Sequence, residues 1–354
     1  MLEPQSKQDV LGRLLADFKK IDKEGLSTHE GTFVFDTLSS NAVEFEKSYA
    51  EMQLILDAAF PQTAWGEYLT RHAEAHGVFR KTATQANVIL TITGTANTII
   101  PKGSLFSTDN DETFRTSKEV NLGDTGSAKV LALSEQLGKS LNVGANTITE
   151  IVGGIYGVST VTNEAAAYDG YDEETDAELL DRLLLKVRKP ATSGNVYHYE
   201  QWARLVNGVF LVKVIPLWNG PGTVKVIIIN NERESASTEL IEKVRAVIAE
   251  NAPIGATVTV VTPTIFDINI ELIVTKGKAD IEAVKKVLNE EFKKQIFNGT
   301  YVSYANIGKA ILANKETGIL DYRDLKVNKG ITNIDITNEQ LPTIKEVIVH
   351  EWFY

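Results

Sequence analysis

The apolar residues of this chain change their spacing near residue 84, and that change constrains the fold more than any other feature of the sequence. Before this point they recur every three or four positions, as in amphipathic helices. After it, short alternating runs are separated by Gly, Pro, Asn and Asp, which predicts strands joined by turns. From residue 169 onward, helix and strand patterns follow each other. The sequence therefore predicts an α+β multidomain protein.

We divide the chain of 354 residues into four predicted segments. They are an N-terminal helical arm at 1–83, a small β-rich, barrel-like domain at 84–168, a central α+β domain at 169–263 and a C-terminal α+β domain at 264–354. No low-complexity linker separates these segments, so we expect the domains to pack on each other rather than to swing freely.

Two seams of apolar residues within the first 60 positions are candidate interaction surfaces. The first seam consists of Leu11, Leu14, Phe18 and Ile21. The second seam consists of Phe45, Tyr49, Met52 and Leu56, flanked by Ala42 and Ala59. The spacing is that of a and d positions in a coiled coil, although each seam is shorter than three to four heptads. Two interpretations stay open, an intrachain helical hairpin and a seam shared with helices of partner proteins.

Short local patterns predict further elements. Val88, Leu90 and Ile92 alternate with smaller or polar residues and indicate a strand with one buried face. We expect a helix from near Thr63 to the stop at Gly77. Thr175 and Glu178 fit the capping box of another helix, whose predicted buried stripe is Leu179, Leu183 and Val187. Asp280 caps a later helix with the predicted buried residues Ile281, Val284, Leu288 and Phe292.

The composition argues against several classes of function. The net charge is −11, with acids spread along the chain, whereas a nucleic-acid-binding protein needs a basic stripe. The same charge disfavours an anionic membrane surface. There is no cysteine, so disulfides and thiolate metal sites are excluded. The first residues lack the pattern of a signal peptide, and no apolar run has transmembrane length. We expect a soluble protein made in the cytoplasm.

Two histidines, His72 and His76, share a helix face and suggest a metal site. In the H-E-x-x-H pattern of zinc proteases the Glu adjoins the first His. Here Glu74 is two residues on, about 200° around the helix. We therefore expect both histidines to line the edge of the apolar face.

Two other segments resemble ligand-binding loops only in part. Gly138-Lys139-Ser140 lacks the first glycine of a phosphate-binding loop, because position 133 is Leu. The acidic run 169–176 has Tyr171 where a calcium loop needs an oxygen ligand. We expect a surface turn at the first segment and helix-capping acids at the second. The sequence predicts no catalytic residue, no cofactor and no metal ligand, while a weak metal contact at 169–176 stays open.

Several longer stretches carry a family resemblance. They are F-P-Q-T-A-W-G-E-Y-L-T-R-H-A-E-A-H-G-V-F-R at 60–80, G-Y-D-E-E-T-D-A-E-L-L-D-R-L-L at 170–184, S-G-N-V-Y-H-Y-E-Q-W-A at 193–203, V-N-G-V-F-L-V-K-V at 206–214 and G-P-G-T-V-K-V at 220–226. In this order they resemble the baseplate J-like family, wedge proteins of contractile phage tails and of phage-tail-derived bacteriocins. The resemblance extends over residues 31–327, and its motifs are structural rather than catalytic.

The resemblance implies a structural wedge subunit that builds a ring around the tail hub and transmits the change that triggers sheath contraction. Its implied partners are other wedge proteins, including a tail protein I-like subunit and a small lysozyme-like wedge protein, and further copies of itself in a sixfold ring. The protein would be made in the host cytoplasm and assembled into the baseplate of a virion or of a released phage-tail-like particle. The resemblance does not distinguish a phage from a headless bacteriocin.

The sequence also bears on two other classes of function. A tail-associated cell-wall hydrolase could use any of the 47 acidic residues, so the sequence leaves that alternative open. A receptor-binding fibre would show long β-repeats or a glycine-rich stalk, and this chain has neither.

The chain ends in three aromatic residues, Trp352, Phe353 and Tyr354, after a predicted strand at 343–352. Each ring can bury about 150–250 Å². Both faces of this strand are partly apolar, and the helix at 280–297 can cover one of them. Either a second helix near Ser303 covers the other face, or a neighbouring subunit does, which makes the three aromatic residues candidate interaction residues.

Overall fold

The computed structural model describes residues 5–294, 296–297 and 299–351. It confirms an α+β multidomain chain. Its internal contacts divide it into two compact units, one formed by the residues up to Ala83 together with Asp172–Val187, the other by Thr84–Tyr171 together with the residues from Arg188 onward. Among the described helices, none combines the length and the apolar character that a membrane span requires.

The first unit contains four helices, α1 (Lys7–Ile21), α2 (Phe33–Ala59), α3 (Gly66–Ala75) and most of α4 (Asp176–Arg188). Ser6 and Asp9 form a capping box at the start of α1. Thr32 caps α2 by accepting the Phe35 N–H at 3.4 Å. Leu69, Ala73, Val78, Leu179 and Leu183 form the core between α3 and α4.

Helix α3 begins later than the sequence predicted. Residues 60–64 form a turn in which the Thr63 and Ala64 N–H groups both donate to the Phe60 carbonyl. Trp65 is extended, with φ −136°, and the helix starts only at Gly66. The predicted stop is confirmed, because Gly77 has φ +66°. The Val78 N–H also donates to the Ala73 carbonyl, five residues earlier, at 2.9 Å. This is the hydrogen bond that defines a Schellman motif.

The capping box at the start of α4 is confirmed, but the buried stripe of this helix ends before Val187. Thr175 Oγ1 accepts the Glu178 N–H at 3.3 Å, and the Glu178 carboxylate accepts the Thr175 N–H at 3.0 Å. Val187 is exposed, contrary to the prediction, whereas Leu185 is buried. A stripe of every fourth residue drifts by about 40° per step, so Val187 lies about 80° around the helix from Leu179.

The second unit starts with a six-stranded antiparallel sheet. Its strands are β1 (Gln85–Gly94), β3 (Leu105–Thr108), β4 (Thr113–Thr116), β6 (Ser127–Leu137), β7 (Ile148–Ile151) and β8 (Val158–Thr162), in the order β7-β3-β4-β6-β1-β8. The edge strands β7 and β8 contact each other, so the sheet is nearly closed. A small ribbon of β2 (Ile99–Ile100) and β5 (Val120–Asn121) adjoins it. Val88, Leu90 and Ile92 point inward, as predicted.

The central part of this unit contains α5 (Val196–Leu205), β9 (Val209–Pro216), β10 (Thr223–Asn230), α6 (Thr238–Asn251) and β11 (Thr257–Val261). Strands β9 and β10 form an antiparallel hairpin, and β11 pairs with β10 in parallel after the crossover through α6. The core is built from Val226 and Ile228 of the sheet, Tyr199 of α5, and Val244 and Ile248 of α6.

The C-terminal part contains β12 (Thr264–Gly277), α7 (Ile281–Lys293), β13 (Tyr301–Val302), α8 (Tyr304–Ala313), β14 (Ile319–Val327), β15 (Ile334–Asp335) and β16 (Gln340–Glu351). Its main sheet has the order β14-β12-β16, with β16 parallel to β12. Asp280 caps α7, and Val284, Leu288 and Phe292 are buried as predicted. Ile281 is exposed instead, because the first residue of a helix has packing neighbours on one side only.

The central and C-terminal parts pack on each other, as expected. Ile229, Ile296 and Leu341 form a small buried cluster between them. Lys225 Nζ lies 2.9 Å from the Glu339 carboxylate across the same boundary. The central part also contacts the barrel-like domain, where Lys139 pairs with Glu232 at 2.7 Å.

Candidate functional site

The two helical seams of the arm lie on α1 and α2, which pack against each other. In the first seam Leu11, Leu14 and Phe18 are half-buried, whereas Ile21 is exposed. In the second seam Tyr49 and Leu56 are half-buried, whereas Phe45 and Met52 are 50% and 48% exposed. The structure therefore covers each seam only in part.

Polar contacts contribute to the packing of α1 on α2. The Lys7 N–H donates to the Glu46 carboxylate at 2.8 Å, and the Arg13 guanidinium lies 5.8 Å from the centre of the Tyr49 ring. Val10 is the one buried side chain among the described residues of α1, and Ala42 is the one buried side chain of the 27-residue α2. The hairpin interpretation thus accounts for part of the apolar surface of the arm.

A large set of apolar side chains in this unit is exposed to solvent. The set is Ile21, Leu26, Phe33, Phe45, Met52, Leu54, Ile55, Phe60, Trp65, Tyr68, Phe79 and Val187. Isolated exposed apolar residues are normal, but contiguous apolar surface in a folded protein marks an interaction site. On α2, Phe45 and Met52 are seven residues apart on one face, and Leu54 lies about 200° from Met52 on the opposite face.

Sequence reasoning missed a network of charged residues around the buried Glu174 that fixes α4 against the segment after α3. The Glu174 carboxylate is buried and accepts both the Arg182 guanidinium at 2.7 Å and the Lys81 N–H at 3.1 Å. The Arg80 guanidinium donates to Thr70 Oγ1, the Glu174 carbonyl and Asp176 Oδ1. We name these four charged residues, Arg80, Glu174, Asp176 and Arg182, the arm clamp.

The acids of the clamp were predicted only as helix-capping residues. Asp176 is the first residue of α4, where the macrodipole favours a carboxylate. The backbone N–H of Gly66 and the Arg80 guanidinium hold the pKa of Asp176 below its ordinary value. The signal for the clamp was present in the sequence, since Arg80 ends one resemblance stretch and the other three residues lie in the next. Their pairing depends on a contact between distant segments that spacing does not reveal.

The two histidines of α3 have separate surroundings. His72 is half-buried, and its Nε2 lies 2.8 Å from the Ala58 carbonyl, to which it donates a hydrogen bond. His76 is the exposed C-cap residue of α3, so only one of the two lines the apolar face. Within the part of the chain that the structure describes, no group of three or more His, Asp or Glu side chains is arranged to hold a metal ion.

The two loop-like segments serve structural contacts. Lys139 and Ser140 lie in a short 3₁₀ turn, as expected for a surface turn. Asp169 has φ +68°, pairs with Lys243 of α6 and accepts from Asn87 Nδ2 at 3.3 Å. Burial, with help from the Asp169 charge, raises the pKa of Tyr171 to about 12. These contacts join the barrel-like sheet to the central part.

A groove of about 240 Å³ lies between the central and C-terminal parts. It is lined by Arg233, Glu234, Ser235, Ile265, Asn289, Lys293, Leu341, Pro342 and Thr343. Glu234 is the single acid of this lining, and its carboxylate is 3.1 Å from Lys293 Nζ. Glycoside hydrolysis generally uses two carboxylates that flank the scissile bond. The groove does not offer that arrangement.

The three aromatic residues Trp352, Phe353 and Tyr354 lie outside the described residues, so their predicted contact stays a prediction. The strand before them, β16, buries Ile344 and Val347 in a core that also contains Ile307 and Ile311 of α8. Ile348, on the other face of β16, is exposed.

The comparisons with known proteins cover most of the chain. The model of the Baseplate J-like protein barrel domain matches residues 89–170, and that of the Baseplate J-like central domain matches residues 191–262. Protein YqbT of Bacillus subtilis is 32% identical over 99% of both chains, and the phage-like element PBSX protein XkdT of the same organism is 29% identical over 99% of both chains. Baseplate protein gp47 of Escherichia phage Mu is 28% identical over 74% of this chain and 76% of its own.

Proposed function

This chain belongs to the baseplate J-like family, and from that premise we propose that it is a structural subunit of the baseplate of a contractile tail, in a phage or a phage-tail-like particle. The similarity to a protein named as a baseplate protein of phage Mu supports this role. So does the extent of the match, which includes the arm as well as the globular domains.

Within the baseplate, we propose that the chain is a wedge subunit whose arm bundles with helices of neighbouring wedge proteins. One observation carries this proposal: α2 is 27 residues long and buries a single side chain in its own unit, while Phe45 and Met52 of its seam remain half-exposed. Partner helices that contact this face would remove apolar area from water, at about 25 cal/mol per Å². A tail protein I-like subunit and a small lysozyme-like protein are the proposed partners.

The globular domains would then form the ring around the tail hub. We propose sixfold closure with further copies of the chain, and a rearrangement of the ring on host contact that permits sheath contraction. In this role no residue turns over a substrate. The protein would be made in the cytoplasm of the producing cell and assembled there into the baseplate.

We also propose the four domain boundaries 1–83, 84–168, 169–263 and 264–354. The two family models, at residues 89–170 and 191–262, support the second and third domains. Helix α4 packs with α3 in the first unit, so we propose that the clamp transmits movement of the arm to the start of the central domain.

The experiment compares two charge-introducing changes on α2. M52E places a carboxylate in the seam, and L54E places one on the opposite face, where the side chain is 54% exposed. Each variant is co-expressed with the tail protein I-like protein from the neighbouring gene, and the complex is isolated through a tag on that partner. We expect M52E to lose co-purification and L54E to retain it.

Equal retention of both variants would contradict a partner contact at the seam, and equal loss would indicate a contact that does not depend on this face. A peptidoglycan turbidity assay with the purified chain tests the absence of catalysis separately. Clearing of the suspension by the wild-type chain would overturn the purely structural role.

A further inference from the structure

The barrel-like domain and the central domain meet at a small polar junction. Lys243 of α6 pairs with Asp169, and Lys139 Nζ lies 2.7 Å from the Glu232 carboxylate. Burial raises the pKa of Tyr171 to about 12, and the charges of Asp169 and Glu232 add to this rise, so both ion pairs lie close to the same ring. We name these five residues the barrel junction.

Tyr171 lies against the central domain at a position where a glycine leaves room for its ring. A Cβ atom at Gly208 would lie 2.4 Å from the Tyr171 hydroxyl oxygen, so a side chain there would displace the ring. The Tyr171 N–H donates to Thr84 Oγ1 at 3.0 Å, and its carbonyl accepts the Thr84 N–H at 2.9 Å. Tyr171 thus belongs to the barrel-like domain through its backbone and contacts the central domain through its ring.

Among the described residues, no buried apolar cluster joins these two domains. The core of the barrel-like sheet and the core around α5 and α6 share no residue. The central and C-terminal domains differ in this respect, because Ile229, Ile296 and Leu341 are buried together at their boundary. Only two residues separate the end of β11 from the start of β12. We therefore expect the boundary between the central and C-terminal domains to be the stiffer one.

The ion pairs of the barrel junction are open to solvent. The side chains of Lys139 and Lys243 are 54% and 45% exposed. Exposed ion pairs contribute little to stability, and salt screens them beyond about 8 Å at physiological ionic strength. Domains that meet without a large apolar interface are expected to move relative to each other. The barrel junction is therefore a contact that can open without unfolding either domain.

The chain does not pass directly from one of these domains to the other. It leaves the barrel-like domain at Tyr171, runs through Asp172–Val187 of the first unit and enters the central domain at Arg188. We propose that the barrel junction is a latch. While its ion pairs are closed, the barrel-like domain is held on the central domain. When they open, the barrel-like domain turns about Tyr171 as one body, while the central and C-terminal domains move together.

The role of this latch in the baseplate rests on the proposed function. The segment 172–187 contains nearly all of α4, so a movement of the arm that displaces α4 pulls on both of its ends and strains the junction. Opening of the latch is measured on the isolated chain. A failure of partner binding at α2 would leave the latch standing, and a junction that never opens would leave partner binding standing.

The test measures distances between pairs of spin labels in the full-length chain. Because the chain has no cysteine, Y156C with I254C places one label on the barrel-like domain and one on the central domain, at two fully exposed side chains. I254C with L320C is the control pair, since Leu320 is 67% exposed on β14 of the C-terminal domain.

Sodium chloride is raised from about 0.01 M to about 1 M, which shortens the screening length from about 30 Å to about 3 Å. We expect the distance distribution of the first label pair to shift and broaden, and that of the control pair to stay the same. The proposal is overturned if the first distribution does not change, or if both distributions change alike.

Charge-removing variants test the junction at low salt. D169N with E232Q removes a carboxylate from each ion pair, and asparagine readily adopts the φ of +68° at position 169. E339Q is the matched control, because it removes the partner of Lys225 at the other domain boundary. We expect the junction variant to show the high-salt distribution of the first label pair at low salt, and E339Q to show the wild-type one. Equal behaviour of the two variants would overturn the latch.

Discussion

Helix α2 and strand β12 are both long elements rich in apolar residues, but they differ in how much of their apolar surface the chain itself covers. Strand β12 buries Ile268, Ile270, Leu272 and Val274 in one continuous core. Helix α2, with nearly twice as many residues, buries only Ala42. The C-terminal domain thus covers one apolar face of β12 within the chain, whereas the arm leaves most of the apolar surface of α2 uncovered. We therefore expect the first region to contribute to stability and the second to assembly.

The largest expected effect comes from removing the arm. A chain lacking residues 1–59 should remain folded, because the α3–α4 core and the cores of the second unit contain no residue of α1 or α2. It should fail to bind its baseplate partners altogether. Size-exclusion chromatography after co-expression measures the binding, and circular dichroism of the remaining chain is the control. Co-elution of the truncated chain with its partner would place the seam contacts inside the chain.

A substitution in the core should instead lower the stability of the isolated chain. L272A removes a fully buried side chain of β12 and should lower the free energy of unfolding by about 2–5 kcal/mol. M52A, on the half-exposed seam, should change it by less than about 0.5 kcal/mol in the isolated chain. Urea denaturation of both variants checks the difference. A stability loss in M52A as large as that in L272A would mean that the arm is part of a core after all.

The arm clamp should show an intermediate effect. E174Q keeps the shape of the side chain but leaves the Arg182 guanidinium without a buried carboxylate, at a cost of about 1.5–3 kcal/mol. E178Q at the exposed end of the capping box is a milder control, with an expected loss below about 1 kcal/mol. The stability of both variants is measured by thermal denaturation. Equal losses of stability would show that the buried Glu174 charge contributes no more than an exposed capping residue.

A smaller effect is expected on the stability of the fold at acid pH. The pKa of Asp176 is lower in the folded chain than the ordinary value near 3.9 of the unfolded one. Its ionised form therefore stabilises the fold at pH above the unfolded value, and this contribution disappears as the pH falls through the folded pKa. D176N should remove that part of the acid sensitivity. Because the Asp176 side chain is 43% exposed, solvent screening keeps the effect below about 1 kcal/mol. If D176N and the wild-type chain lose stability equally as the pH falls, the ionised Asp176 does not contribute to the fold.

The element types of the chain could be read from spacing, because a buried face repeats every two residues in a strand and every three to four in a helix. Val88, Leu90 and Ile92 illustrate the first case, and Val284, Leu288 and Phe292 the second. The ends of elements were less predictable. Val187 is exposed because it has drifted around the helix from Leu179, and Ile281 because burial at a helix end depends on what lies beside that end.

The interaction surfaces were predictable to a lesser degree. The seams were visible as a pattern, but the pattern alone left open whether α1 covers α2. The arm clamp could not be found in this way, since Glu174 meets Lys81 only after the chain has folded. Pairing between distant segments follows from the fold, not from local spacing.

The central claim is that partner helices cover the seam of α2 in the assembled baseplate. Single thiols test it directly, because the chain has no cysteine of its own. M52C and L54C are labelled with a maleimide, once as free chain and once in purified tail particles. The account predicts that both react in the free chain, and that only M52C becomes protected in the particle. Equal labelling of M52C in both states would contradict it.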